Sequence, residues 1–287
     1  MRIHHLNCIS TCPLGGRLMD GRTRGLLARG HLSCHCLLVE TRESLVLVDT
    51  GLGLRDVRHP RDRLSAFFLA LVAPDFREQM TAVRQVQRLG FDPRDVRHIV
   101  LTHLDFDHAG GLDDFPQATV HMLARERDHA LAQASWLDRQ RFRPQQWASR
   151  PRWRVHAGPA GERWMGLEAV RGIDGLPPEL LLVPLPGHTH GHAGVAIETP
   201  AGWRLLAGDA YFHEDEMGEQ YRCPPGLRFY QWMMELDRPA RLRNQARLRA
   251  LRRERASEIS IFSSHDVAEF ERLSGRSAHL PAAATSH

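Results

Sequence analysis

The 287-residue sequence contains no lysine; all 38 of its basic residues other than histidine are arginine, set against 34 acidic ones. Those arginines are dispersed among Asp and Glu, and the formal net charge is only +4. Nucleic-acid binding needs basic residues gathered on one face, so no nucleic-acid partner is expected. The densest basic run, Arg238 to Arg255, alternates Arg with Leu and Ala at helical spacing and reads as a solvated helix face. Long apolar runs are missing too. Nothing approaches the ~18 apolar residues of a spanning helix, and Met1 to Ser10 lacks the apolar centre of a signal peptide. The expected setting is cytoplasmic, with no membrane partner. Cysteine is scarce and odd in number, five in all, which fits thiols in a reducing compartment. The spacing of Cys8, Cys12, Cys34 and Cys36 misses the usual zinc patterns, so buried or incidental thiols are expected. Cys223, beside Pro224 and Pro225, belongs to a loop. There is no Gly-x-Ser-x-Gly elbow, no Gly-x-Gly-x-x-Gly and no phosphate loop.

What is present is an ordinary globular composition, 42% hydrophobic and 25% charged. The chain is organised around Thr102-His103-Leu104-Asp105-Phe106-Asp107-His108-Ala109-Gly110-Gly111. This run follows the apolar segment Val96 to Leu101, which reads as a buried strand. Ligand-type residues alternate with Leu104 and Phe106, sending the polar side chains to one side and the apolar ones into the core. A charged turn with Asp105 or Asp107 as helix N-cap would explain one Asp and leave two His and the other Asp idle.

Upstream, His31 to Glu40 and Ser44 to Asp49 read as a hairpin, ending in Asp49-Thr50-Gly51. Arg61 to Val72 and Glu78 to Leu89 read as helices, the second closed by Gly90 and Pro93. Thr119 to Leu123 reads as a strand and Ala124 to Ala134 as a helix. Residues 135–179 hold four of the six Trp without a clean period. That pattern predicts a lid-like insertion covering substrate, with Arg141, Arg143 and Trp147 as contacts, or an aromatic mini-core pinning a loop. Further strands are expected at Leu180 to Leu185, Ala193 to Glu198, Trp203 to Ala207 and Ile259 to Phe262. After three of these stand His188, Asp209 and His265.

The set formed by His103-x-Asp105-x-Asp107-His108, Gly187-His188-Thr189-His190-Gly191-His192, Gly208-Asp209-Ala210 and His265 resembles the metallo-β-lactamase superfamily, with Asp105 where the family has His. The likeness runs from about residue 30 to 270. It implies an α/β fold, an αββα sandwich of two mixed sheets flanked by helices, in a single domain over 1–287. Carried over, it places His103, Asp105 and His188 on one metal and Asp107, His108 and His265 on a second, bridged by Asp209. Asp49 would support the site from behind, and His192 would orient a ligand. Zinc is the expected ion, and the extra carboxylate at Asp105 admits manganese or iron.

The resemblance implies a dinuclear hydrolase in which two cations generate a shared hydroxide and polarise an ester carbonyl. Asp107 would orient that nucleophile or move its proton. The motif is most similar to that of the quorum-quenching lactonases, which implies a small lactone substrate. Their substrate-contacting Tyr falls here on Phe212, flanked by Tyr211 and His213, so Tyr211 is expected to serve if the loop shifts by one residue. Alternatives are a thioester hydrolase of the glyoxalase II type and a phosphodiesterase. The flavin-linked di-iron members also carry a carboxylate at the Asp105 position, but 287 residues leave no room for their flavodoxin-like domain. A binding protein on this fold would have lost ligands, and all seven positions are filled here.

Overall fold

The computed structural model describes residues 1–147, 152–157 and 161–278. Strands β1 (Arg2–Asn7), β2 (His35–Glu40), β3 (Leu45–Val48), β4 (Val96–Val100), β5 (Thr119–Leu123) and β6 (Arg152–His156) form one sheet in that order. β1, β2 and β3 pair antiparallel, and β3 to β6 run parallel. Strands β7 (Glu162–Trp164), β8 (Leu167–Gly172), β9 (Leu180–Pro184), β10 (Ala193–Thr199), β11 (Gly202–Leu206) and β12 (Ile259–Phe262) form the other. There all neighbours are antiparallel except β11 and β12. Both sheets are therefore mixed, and the expected αββα sandwich is observed.

Apolar residues on both faces of the central strands explain the layering. Leu37, Val39, Val46, Val48 and Val100 pack across the sandwich against Leu180, Leu182, Val195, Ile197, Leu206 and Phe262. Their alternate neighbours, Leu38, Leu47 and Ile99, turn outward onto Val83 and Val86 of the helix Ala82–Arg88. Val183 and Leu205 turn the other way onto Leu248 and Leu251 of the helix Arg238–Glu254. Each such side chain contributes about 1.5–3 kcal/mol by leaving water, and a strand covered on both faces must be apolar throughout. Cys8, Cys34 and Cys36 are buried in the first of these outer cores, as expected for structural thiols.

Three expectations about elements are corrected. Arg61 to Val72 is two helices, Pro60–Arg63 and Ala66–Val72, because Leu64 is extended and the Ser65 hydroxyl caps the second by accepting from Phe68 N–H. Glu78 to Leu89 opens as a 3-10 turn, breaks at extended Thr81 and continues as Ala82–Arg88. Residues 135–179 are not an aperiodic lid. They supply the helix Trp136–Arg141 and the strands β6, β7 and β8 that extend the two sheets. Their Trp residues hid this because they pair with other Trp rings and follow no repeat: Trp147 packs against Trp153, and Trp164 against Trp203 of β11. Residues 148–151 and 158–160 of that segment lie outside the described residues. Among the described residues no helix is long and apolar enough to cross a membrane.

Candidate metal centre

The ends of β3, β4, β9, β11 and β12 bring together side chains from across the chain. After β4, a single helical turn, Phe106–Ala109, carries Asp107 and His108. Asp105 stands at its N-cap position but makes no capping bond, so capping is not what its carboxylate does. Phe106 anchors the turn in a core with Phe68 and Leu52. Glycine is required just before Asp209: Gly208 has φ +56, and a Cβ there would lie 2.6 Å from His192 Nε2.

All seven expected ligands converge and are buried. His103, Asp105 and His188 form one group of mutually close donor atoms, Asp107, His108 and His265 a second, and His103, His108 and Asp209 a third. Asp209 sits among all four imidazoles, with its oxygens 3.3 Å from His108 Nε2, 3.2 Å from His265 Nε2, 3.4 Å from His188 Nε2 and 3.7 Å from His103 Nε2. Buried polar atoms normally find partners, yet His103 Nε2, His108 Nε2 and Asp209 Oδ1 have none among the described residues. Unpaired imidazole nitrogens facing a carboxylate oxygen in a buried pocket suit a divalent cation.

The ring orientations are set from behind. Asp49 accepts from Thr102 N–H at 2.8 Å, the Thr102 hydroxyl at 2.7 Å and His108 Nδ1 at 2.8 Å, which leaves His108 Nε2 free toward the site. His265 Nδ1 donates to the Ser33 carbonyl at 2.8 Å, directing its Nε2 likewise. His192 donates from Nδ1 to the Leu185 carbonyl and accepts the Asp209 backbone N–H at Nε2, both at 2.9 Å. It holds the backbone of Asp209 and does not face the cluster as a donor. His190 is exposed.

Electrostatics follow from burial and proximity. Burial works against charge on Asp209, but His265, His108 and His103 hold its carboxyl well below the usual range. Burial also opposes the imidazolium of His108, yet Asp209 and Asp49 push its pKa well above normal. His265 is raised by Asp209 and Asp107 against the same opposition. Asp107 is raised by burial.

Four residues lie elsewhere than expected, Tyr211, Arg141, Arg143 and Trp147, and two more, Glu126 and Tyr230, carry no sequence signal. The Tyr211 ring packs in the outer core with Leu205 and Leu248, and its hydroxyl donates to Glu269 at 2.9 Å. The loop is not shifted, and Phe212 is the residue that stacks on His265, with centroids 4.9 Å apart. His213 lies near the cluster, lining a polar recess that also reaches His265. Arg141 is fully buried, with Nε 2.7 Å and Nη2 2.5 Å from the two Asp105 oxygens. It is not available for the expected substrate contact, and Arg143 and Trp147 likewise bind within the fold. Glu126, which no motif marked, accepts from Leu104 N–H, the Thr189 hydroxyl and Gly191 N–H, tying the His103 loop to the His188 loop. Burial raises its pKa to about 7. Tyr230, on the helix Pro225–Met234, lines an apolar cavity of about 270 Å³ together with Asp107, His265, Leu32, Leu71, Phe212 and Met233. Burial raises its phenol well above the usual value, and Asp107, Asp105 and Asp209 raise it further.

A family model described as the metallo-β-lactamase superfamily matches residues 29–256. The probable metallo-hydrolase Rv2300c of Mycobacterium tuberculosis is 39% identical over 266 residues, covering 93% of this chain and 80% of the relative. The N-acyl homoserine lactonase AiiA of Bacillus thuringiensis subsp. kurstaki is 26% identical over 191 residues, covering 66% and 68%. Among solved structures, an N-acyl homoserine lactone hydrolase with N-hexanoyl-L-homoserine at its catalytic metal center superposes with TM-score 0.70 at 22% identity, covering 94% and 95%.

Proposed function

The chain belongs to the metallo-β-lactamase superfamily, and from that premise we propose that it is a metal-dependent hydrolase opening a lactone that carries an apolar acyl chain. The observation that carries this reading is the apolar cavity of about 270 Å³ whose lining includes Asp107 and His265 of the cluster. A pocket mostly apolar, with a few polar groups in its wall, suits a substrate with a hydrocarbon tail and a polar reacting bond. The names of the lactonase relatives support the same substrate class.

The residues that would hold a cation are His108, Asp107, His265, Asp209 and His103; imidazole with carboxylate suits zinc, and the carboxylate share admits manganese or iron. A bound divalent ion would supply Lewis acidity and acidify water. Asp107, in the cavity wall, takes the proton of the attacking water and returns it to the leaving oxygen. Its raised pKa fits a group that both accepts and releases a proton. Tyr230, kept protonated by its surroundings, donates a hydrogen bond to the ester oxygen that gains charge. Phe212, stacked on His265, shields that side of the site from water.

A second reading, a phosphodiester or a thioester with a charged carrier, draws on the adjoining polar recess that also reaches His265. Its Arg22, Arg222 and Arg228 share the lining with Asp20, Glu214, Asp215 and Asp266, so its charge is mixed and the lactone reading stands first. The deciding experiment supplies zinc or manganese to the purified protein and measures turnover of acyl lactones of graded chain length, a glutathione thioester and a phosphodiester. Lactone opening that grows with chain length and stops on chelation is expected. Faster turnover of the thioester or phosphodiester, or activity that survives chelation, overturns the lactone reading.

A further inference from the structure

We infer that the Arg141 guanidinium takes the place of the first of the two expected cations, so that the protein holds one metal ion per chain. This rests on the metal-dependent hydrolase reading and departs from the two cations that the motif resemblance implied. Asp105, standing where the motif has His, offers two oxygens, and both are taken by the planar fork of Arg141, at 2.7 Å and 2.5 Å. The same Nη2 lies 2.9 Å from His188 Nε2, the nitrogen that would otherwise face an ion beside Asp105. Nη1 donates to the Met234 carbonyl at 2.8 Å, which pins the group at the end of the helix Pro225–Met234. The backbone assists, since Asp105 and Phe142 form an antiparallel bridge that delivers Arg141 to the carboxylate.

The unpaired cluster nitrogens and oxygen that share one group are His103 Nε2, His108 Nε2 and Asp209 Oδ1. His188 Nδ1 also lacks a partner among the described residues, but His188 Nε2 and both Asp105 oxygens are taken by Arg141. Arginine keeps its charge at any working pH, and a fixed cation beside Asp105 repels a divalent ion there. Moving it aside would leave a buried charge without its counterion. Asp105 and Arg141 are thus a matched pair: the carboxylate that replaced a histidine binds a side-chain cation in place of a metal.

The test is metal stoichiometry, read by equilibrium dialysis against zinc and elemental analysis, with circular dichroism as the check on folding. Wild type is expected to retain one equivalent. Arg141→Met, which keeps the bulk and removes the charge, is expected to retain two. Should Arg141→Met fail to fold, Asp105→His with Arg141→Met restores an imidazole and removes the cation together, and should also retain two. Arg141→Lys keeps the charge and should stay at one. Two equivalents in wild type, or one in every folded variant lacking the charge, overturns the inference and leaves the hydrolase reading standing. No retained metal in wild type overturns both.

Discussion

Replacing Asp49 by Asn alters one acceptor and almost nothing in shape, which makes it a sharp probe of how His108 is prepared for a metal. Asp49 takes three hydrogen bonds, from Thr102 N–H, the Thr102 hydroxyl and His108 Nδ1. An Asn at this position keeps the first if its oxygen occupies the Oδ1 position. Its NH2 then faces the Thr102 hydroxyl, which can rotate to accept, and His108 Nδ1, which can accept only by giving up its proton. That proton moves to Nε2, the atom 3.3 Å from Asp209, and a protonated nitrogen cannot ligate. The opposite amide orientation sets two N–H donors 2.8 Å apart against Thr102. Either way the site loses affinity, by the 10–100-fold (about 1.4–2.7 kcal/mol) typical of a lost partner behind a metal-binding histidine. The assay is competition for zinc against a chromophoric chelator, run beside thermal unfolding of the metal-free protein. Asp49→Ala is the contrast: it leaves buried donors unpaired, at about 1–3 kcal/mol each, and should lower stability as well as affinity. A folded Asp49→Asn protein that binds zinc within about twofold of wild type would refute the reasoning.

Metal binding should release protons, because His108 and His265 are both raised by neighbouring carboxylates and must lose their protons to ligate. Affinity therefore falls as pH falls, and calorimetry in buffers of different ionisation enthalpy should give different heats; identical heats would count against it. Tyr230→Phe should lower kcat on the preferred substrate on the order of 10²-fold with metal content unchanged, whereas Tyr211→Phe, which loses only the bond to Glu269, should leave kcat alone; the reverse result would return Tyr211 to the site. His121 bridges His98 and His156 at 3.0 and 3.3 Å, and burial, His98 and His156 lower its pKa from 6.5 to about 3. A depressed histidine contributes stability that is present above the unfolded value of 6.5 and is lost as pH falls below it. At pH 5 the loss is about 2 kcal/mol, so denaturant unfolding at pH 7.5 and 5 should show a smaller difference by that amount in His121→Gln, and an unchanged difference would contradict the assignment.

The residues themselves pointed to the strands, and their resemblance to a known family implied the layers and the candidate ligand set. Leu37 to Val39 or Leu180 to Val183 can be stable only as strands covered on both faces, and His188, Asp209 and His265 each stand just past such a strand. A strand's end is a local event, so the convergence of these side chains on one edge could be read without coordinates. Tertiary structure decided what those side chains meet. Asp105 and Arg141 are 36 residues apart, joined by a helix and a backbone bridge that no periodicity announces, and Arg141 looks in sequence like any surface arginine. Glu126 lies 22 residues from the Leu104 N–H it accepts, on a helix whose charged pattern gives no sign that one carboxylate is buried. Trp153 and Trp164 made β6 to β8 look aperiodic, because residues packing at sheet edges obey the neighbours they find there and not a repeat. The phenol lining the apolar cavity beside the cluster comes from Tyr230, on a helix distant in sequence from the His103 loop, and Tyr211 faces Glu269 instead. A one-residue step along a loop decides whether Tyr211 or Phe212 faces the site, and the packing of Phe212 against His265 makes that choice.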